Sequence, residues 1–193
     1  MSVRTKAVVF DCFGVLVTDG WRPFRTNHFL HSPELLERAT TSNKLVDAGL
    51  KDYDEFLQEM AELANLTFDE TRRQIESNVP NVPLLEYIRD EIKPHYKVGL
   101  LSNAGANWLS TLLEPWQLEL FDEVVLSYQL GAIKPDKIMY QTIAAKLGVE
   151  PEESIFIDDQ QIYCHGAECV GMRTVVYANP EQTIQAIKEQ LHA

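Results

Sequence analysis

The chain has 193 residues, with 17 Lys and Arg against 29 Asp and Glu and a net charge of -12. That length suits one domain with a sizeable core, or a core domain carrying a smaller insert, and the acidic balance excludes the basic face that a nucleic-acid backbone needs. Cys12, Cys164 and Cys169 are odd in number and lack zinc spacing, no signal peptide precedes the first apolar run, and no stretch reaches membrane-span length, so a soluble cytoplasmic protein without membrane partners is expected.

The first predicted element is a buried strand from Ala7, in which β-branched and aromatic residues run without polar alternation up to Asp11. Gly14 then lets the chain turn sharply. Residues 18–80 contain no strong strand. Ser32-Pro33-Glu34 reads as an N-cap, a proline at the first helical position and an acid at the positive end of the dipole. Asp52 with Glu55, and Thr67 with Glu70, fit the capping-box spacing. Tyr53, Phe56, Leu57, Met60 and Leu63 form an apolar stripe at helical period, expected to be the core of a small helical insert.

From Pro83 the texture alternates. Helices are expected over 84–92, 108–113, 136–147 and 180–191, and strands over 97–101, 123–126, 154–157 and 173–176. Such alternation implies an α/β fold: a doubly wound, Rossmann-like parallel sheet, here with a helical cap inserted after the first strand. The expected division is a core of 1–17 and 81–193 with a cap of 18–80.

Strand ends and nearby loops present Asp11, Ser102-Asn103, Lys134 and Asp158-Asp159, and parallel strands bring their carboxyl ends to one edge. Clustered carboxylates repel unless a cation sits among them, and hard oxygen ligands suit magnesium. A hydroxyl, an amide and a lysine at the same edge meet the needs of a phosphoryl group. Taken singly, Lys134 is equally a surface lysine, Ser102 a helix cap and Asp158-Asp159 a turn; it is their order and placement that point to a site.

The motifs Phe10-Asp11-Cys12-Phe13-Gly14-Val15-Leu16, Leu100-Leu101-Ser102-Asn103, Lys134-Pro135 and Phe156-Ile157-Asp158-Asp159, with Gly171-Met172 beyond, resemble those of the haloacid dehalogenase superfamily across nearly the whole chain. The resemblance implies Asp11 as nucleophile and Ser102 and Asn103 as holders of the transferring group. It implies Lys134 as the neutralising cation, and Asp11, the Phe13 main-chain oxygen and Asp159 as magnesium ligands. Asp158 would support the lysine or a metal-bound water. The implied activity is magnesium-dependent hydrolysis of a small phosphate monoester, with sugar phosphates among the candidates, through an aspartyl-phosphate on Asp11, in a monomer or homodimer.

Two positions depart from the family pattern. Phe13 stands where phosphatases of the superfamily carry a second Asp as general acid and base; the dehalogenase branch has an aromatic there, so a 2-haloacid dehalogenase is the alternative. A degenerate, ligand-binding member is another. Against the dehalogenase stand the paired acids, and the segment Leu126 to Gly131 resembles sugar-phosphate phosphatases lacking the second Asp. Without that acid, activity is expected to favour good leaving groups, with Asp19 as a partial substitute. Tyr163 occupies a position where Asn or Asp is usual near the metal. Trp21, Arg22, Arg25 and His28 of the cap are candidates for choosing the substrate, or ordinary cap side chains.

Overall fold

The computed structural model describes residues 4–192. Five parallel strands, β1 (Ala7–Phe10), β2 (Lys97–Ser102), β3 (Glu123–Leu126), β4 (Ser154–Asp158) and β5 (Arg173–Val176), form one sheet in the order β3-β2-β1-β4-β5. The first strand to be made therefore lies in the middle. Phe10 pairs with Leu100 of β2 and with Ile157 of β4, so Asp11, Ser102 and Asp158 all emerge at one edge.

Both faces of the sheet are covered, which explains its continuous apolar runs. Along β1, Val8 and Phe10 enter one core with Ile155 and Ile157, whereas Ala7 and Val9 enter the other with Phe156. The first core is closed by α5 (Val82–Tyr87), which runs on through a π-helical turn at Ile88–Ile92, and by α11 (Pro180–His192), through Leu84, Leu85, Ile88 and Ile187. The second is closed by α9 (Lys137–Leu147) and α10 (Gln161–Glu168), through Tyr140, Ile143 and Ala167. The short helices α6 (Leu109–Leu112), α7 (Pro115–Leu118) and α8 (Ser127–Leu130) fill connections.

Between β1 and α5 stand α1 (Trp21–Phe29), α2 (Pro33–Asp47), α3 (Tyr53–Ala64) and α4 (Phe68–Ile75), with a core of their own that includes Phe24, Phe29, Phe56 and Met60. The expected caps form. Ser32 accepts from Leu35 N, Asp52 from the amides of Asp54 and Glu55, and Thr67 with Glu70 makes a reciprocal capping box. Two linkers join this bundle to the sheet side by side: Thr18 N donates to Val79 O at 2.9 Å and Asn81 N to Leu16 O at 2.8 Å. Gly20 is needed there, because a Cβ would lie 2.3 Å from Ile75 O. The helix α1 and the short α7, α8 and 3-10 turn Pro151–Glu153 were not expected from the sequence. Among the described residues, no helix is long and apolar enough to cross a membrane.

Candidate active site

At the carboxyl edge of the sheet the chain leaves β1 through Asp11 and turns at once. The amides of Val15, Leu16 and Val17 all point to Cys12 O, and Gly14 N donates to Val17 O, which leaves the Phe13 carbonyl outside the turn's hydrogen bonding. Gly14 has φ +91°, and a Cβ there would fall 2.7 Å from the Asp159 carboxylate. This position requires glycine both for its backbone and for the close approach of Asp159.

Lys134 is the centre of the buried chemistry. Only 1% exposed, it places Nζ 2.7 Å from Asp11 Oδ1 and 2.7 Å from Asp158 Oδ2, and donates to Leu101 O at 3.2 Å. Its ammonium also lies over two aromatic rings, with Nζ 5.3 Å from the centre of Phe156 and 5.1 Å from that of Tyr163. The loop that carries it is fixed by Asn103, which accepts from Lys134 N at 2.7 Å and donates to Lys134 O at 3.3 Å. Burial works against the Lys134 ammonium, but Asp11 and Asp158 outweigh it and hold its pKa above the ordinary lysine range. Burial pushes the Asp11 carboxyl above the ordinary carboxylate range, with Lys134 opposing and Asp158 reinforcing. One lysine does not neutralise two buried carboxylates.

A third carboxylate joins them. Asp11, Asp158 and Asp159 bring ligand oxygens within 4.8 Å of one another. Asp158 has both oxygens engaged, by Lys134 and by Gln160 N at 2.8 Å, so it orients the lysine and the turn into α10. Asp159 is gripped by Arg22, whose two terminal nitrogens reach its two oxygens while Nε holds Asp19 Oδ2 at 2.7 Å. That fork raises the guanidinium's pKa through its bond to Asp159. Three acids with two cations still leave a deficit of positive charge, and an all-oxygen donor set fits a hard divalent ion such as magnesium.

The residues expected at the site thus divide. Asp11, Lys134, Asp158 and Asp159 come together, and Asn103 lines the cavity beside them. Ser102 is buried at the end of β2 with its hydroxyl on Asn103 O at 3.3 Å, and it is not part of the cavity wall. Tyr163 packs its ring against Lys134, while its main-chain oxygen accepts from Tyr140 Oη at 2.8 Å.

Above this edge lies a cavity of about 700 Å³, walled by both the sheet edge and the inserted helices. One side is aromatic: Phe13 meets Trp108 at 5.7 Å, Trp108 meets Tyr53 at 4.7 Å, and Trp21 meets Phe56 at 5.3 Å. The other side is polar, with Asp19, Arg22, Arg25, Asn43, Lys44 and Asp47. Sequence reasoning named Arg22 as a candidate for choosing the substrate, not as a partner of Asp159, and missed Asp47. A volume of this order takes a small organic molecule.

The chain is similar to known phosphatases in sequence and to a solved enzyme in fold. A phosphatase of Mycobacterium tuberculosis is 32% identical over 207 residues, covering 96% of this chain and 93% of its own. The D-ribitol-5-phosphate phosphatase of Bacteroides thetaiotaomicron is 29% identical over 188 residues, covering 88% and 90%. A haloacid dehalogenase family enzyme from the same organism, crystallised with magnesium and inorganic phosphate, has the same fold, with a TM-score of 0.70 at 23% identity over 91% of this chain and 95% of that one. The family model described as haloacid dehalogenase-like hydrolase matches residues 35–177, and the chain belongs to that family of hydrolases.

Proposed function

We propose that the chain is a magnesium-dependent phosphatase acting on the phosphate monoester of a small metabolite, with residues 18–80 as a cap over the site. The observation that carries this is the buried Lys134 bridging Asp11 and Asp158, with Asp159 beside them. An acid cluster that remains short of positive charge is built for a cation and a dianionic group, and a dehalogenase needs neither. The phosphatase relatives support the substrate class, and the ribitol phosphate substrate of one of them supports a sugar or sugar-alcohol phosphate.

Asp11 attacks phosphorus through the carboxylate oxygen not held by Lys134, and the ester oxygen leaves. Water then attacks the aspartyl-phosphate and restores the carboxylate. Splitting one displacement into two lowers the barrier of each. Lys134 opposes the burial that favours a neutral Asp11 and screens the incoming dianion, and Asn103 offers its amide at the cavity wall. Asp11, Asp159 and the Phe13 carbonyl would hold magnesium, which supplies charge neutralisation for the phosphoryl oxygens.

The test is a panel of phosphate esters and 2-haloacids, each with magnesium and with chelator, on the wild type and on Asp11→Asn. Ester turnover that requires magnesium and vanishes in Asp11→Asn is the expected result. Haloacid turnover insensitive to chelator would replace this function with the dehalogenase. No turnover of either class would mark a binding protein.

A further inference from the structure

Hydrolysis by this route needs a proton twice, once for the departing alkoxide and once taken from the attacking water. Phe13 provides none; its ring belongs to the aromatic wall. Asp19 is committed elsewhere. Its Oδ1 accepts from Trp21 N at 2.9 Å and Arg22 N at 3.3 Å, and its Oδ2 is held by Arg22 Nε. Burial raises the Asp19 carboxyl and Arg22 opposes, but both of its oxygens are taken up as acceptors, so Asp19 aims Arg22 and has no free oxygen to present to a leaving group.

Asp47 is placed differently. It closes α2 and lines the same cavity as Asp11, Asn103 and Lys134. One oxygen accepts from Asn43 Nδ2 at 2.8 Å, and among the described residues the other has no hydrogen-bond partner. An acid in the last turn of a helix faces the negative end of the dipole, a placement that costs stability unless it serves something. Burial pushes its carboxyl up to about 7; Asn43 opposes, Asp19 reinforces and Lys134 opposes. Lys44 is the other charged group that α2 brings to the cavity.

The end of α2 is also tied to the catalytic edge. The buried Ser127 hydroxyl donates to Asp47 O at 2.5 Å and accepts from Ala104 N at 2.8 Å. Ala104 follows Asn103, the residue that fixes the Lys134 loop. Of the cap's acids on the cavity, Asp47 thus has its backbone registered directly on the loop beside the nucleophile.

We propose that Asp47 is the general acid and base of this site, in the role that position 13 does not fill; this rests on the phosphatase function above. As Asp11 Oδ bonds to phosphorus and the phosphorus–alkoxide bond breaks, the Asp47 proton goes to the alkoxide. As water bonds to phosphorus and the phosphorus–Asp11 bond breaks, the Asp47 carboxylate takes the water proton. The alcohol and inorganic phosphate are released, and both carboxyl groups return to their starting states.

The experiment compares kcat/KM for a primary alkyl phosphate and for an activated aryl phosphate in wild type, Asp47→Asn and Asp47→Ser. General acid assistance contributes about 10²–10⁴-fold, so the alkyl ester should lose that much in both variants while the aryl ester, whose phenolate departs without a proton, changes little. The variants should also release phenolate in a burst, then turn over slowly, because the aspartyl-phosphate has lost its base. Retained aryl kcat/KM in either variant shows that it is folded. Unchanged alkyl turnover, or equal loss on both esters in a variant that still binds inorganic phosphate, overturns the role of Asp47. A wild type inactive on both esters overturns the phosphatase function itself, and this role with it.

Discussion

Replacing Lys134 with Met removes the ammonium that lies over Phe156 and Tyr163 and keeps most of the buried stem. Asp11 and Asp158, 4% and 0% exposed, then face each other without a counter-charge. Breaking a buried pair by deleting one partner costs about 3–5 kcal/mol, and because the two pairs share one cation their costs do not add. Proton uptake sets a ceiling. Neutralising a carboxyl of ordinary pKa at pH 7 costs about 1.4 kcal/mol per pH unit over roughly three units, or about 4 kcal/mol. Above that ceiling the folded variant takes a proton instead of holding the charge. The folded variant therefore holds that proton to higher pH than the wild type does, and the carboxyl has its folded pKa raised further above the unfolded value. Its stability is fully present below the ordinary carboxylate range and declines as pH rises toward neutrality. Urea unfolding of both proteins at pH 7.5 and 5.5, without metal, should show a deficit near 4 kcal/mol that shrinks by up to about 2–3 kcal/mol at the lower pH. A deficit below about 1 kcal/mol, or one that does not change with pH, would refute the view that Lys134 is the shared counter-charge of the two buried acids.

Two further outcomes are expected. Arg22 occupies Asp159 from the cap and is partly exposed, so its hold is screened by water; Arg22→Gln should tighten magnesium binding by up to about fivefold, seen by calorimetry, and weaker binding would mean that Arg22 supports the ion instead of competing with it. At the far edge of the sheet, burial works against the Asp122 carboxylate, but Val98 N–H, Lys93 and Lys97 hold its pKa below the usual range. Its contribution is present above that range and is lost as pH falls through it, so the melting-temperature gap between wild type and Asp122→Asn should close on going from pH 7 to pH 3; a constant gap would place the contribution in the shape of the side chain, not its charge.

The parts of the fold that were legible in the sequence are those where local chemistry and tertiary position coincide. The runs ending at Asp11 and Asp158 are buried on both faces, so their apolar continuity announces them, and parallel topology alone brings their acids together. Ser32 and Thr67 announce α2 and α4 because side-chain caps work within three residues. The helix α1 carries no such signal: Gly20 at its N-cap has no side chain, and Asp19, one residue earlier, supplies the hydrogen bonds to Trp21 and Arg22. Arg22 on Asp159 spans 137 positions, and nothing in either segment alone encodes that meeting. Asp47 did leave a trace, as an acid at the wrong end of its helix. A residue that breaks a local rule in an otherwise consistent element is one whose reason lies elsewhere in the fold.

The aromatic at position 13 has a place in the same logic. In the turn after β1, the side chain of residue 13 faces the cavity from below and Trp108 packs across it at a near right angle. Trp108 in turn meets Tyr53 of α3, so the floor of the site and the inserted helices share one apolar surface. An ionised acid at position 13 would have to be desolvated against those rings, beside an Asp11 already raised by burial. Moving the titrating group to the end of α2 separates the two acids and puts the second one where Asn43 and solvent in the cavity can hold either of its protonation states. The cost of that arrangement is that catalysis then depends on how the inserted helices sit on the core. Ser127 meets the requirement by tying the last turn of α2 to the loop of Asn103.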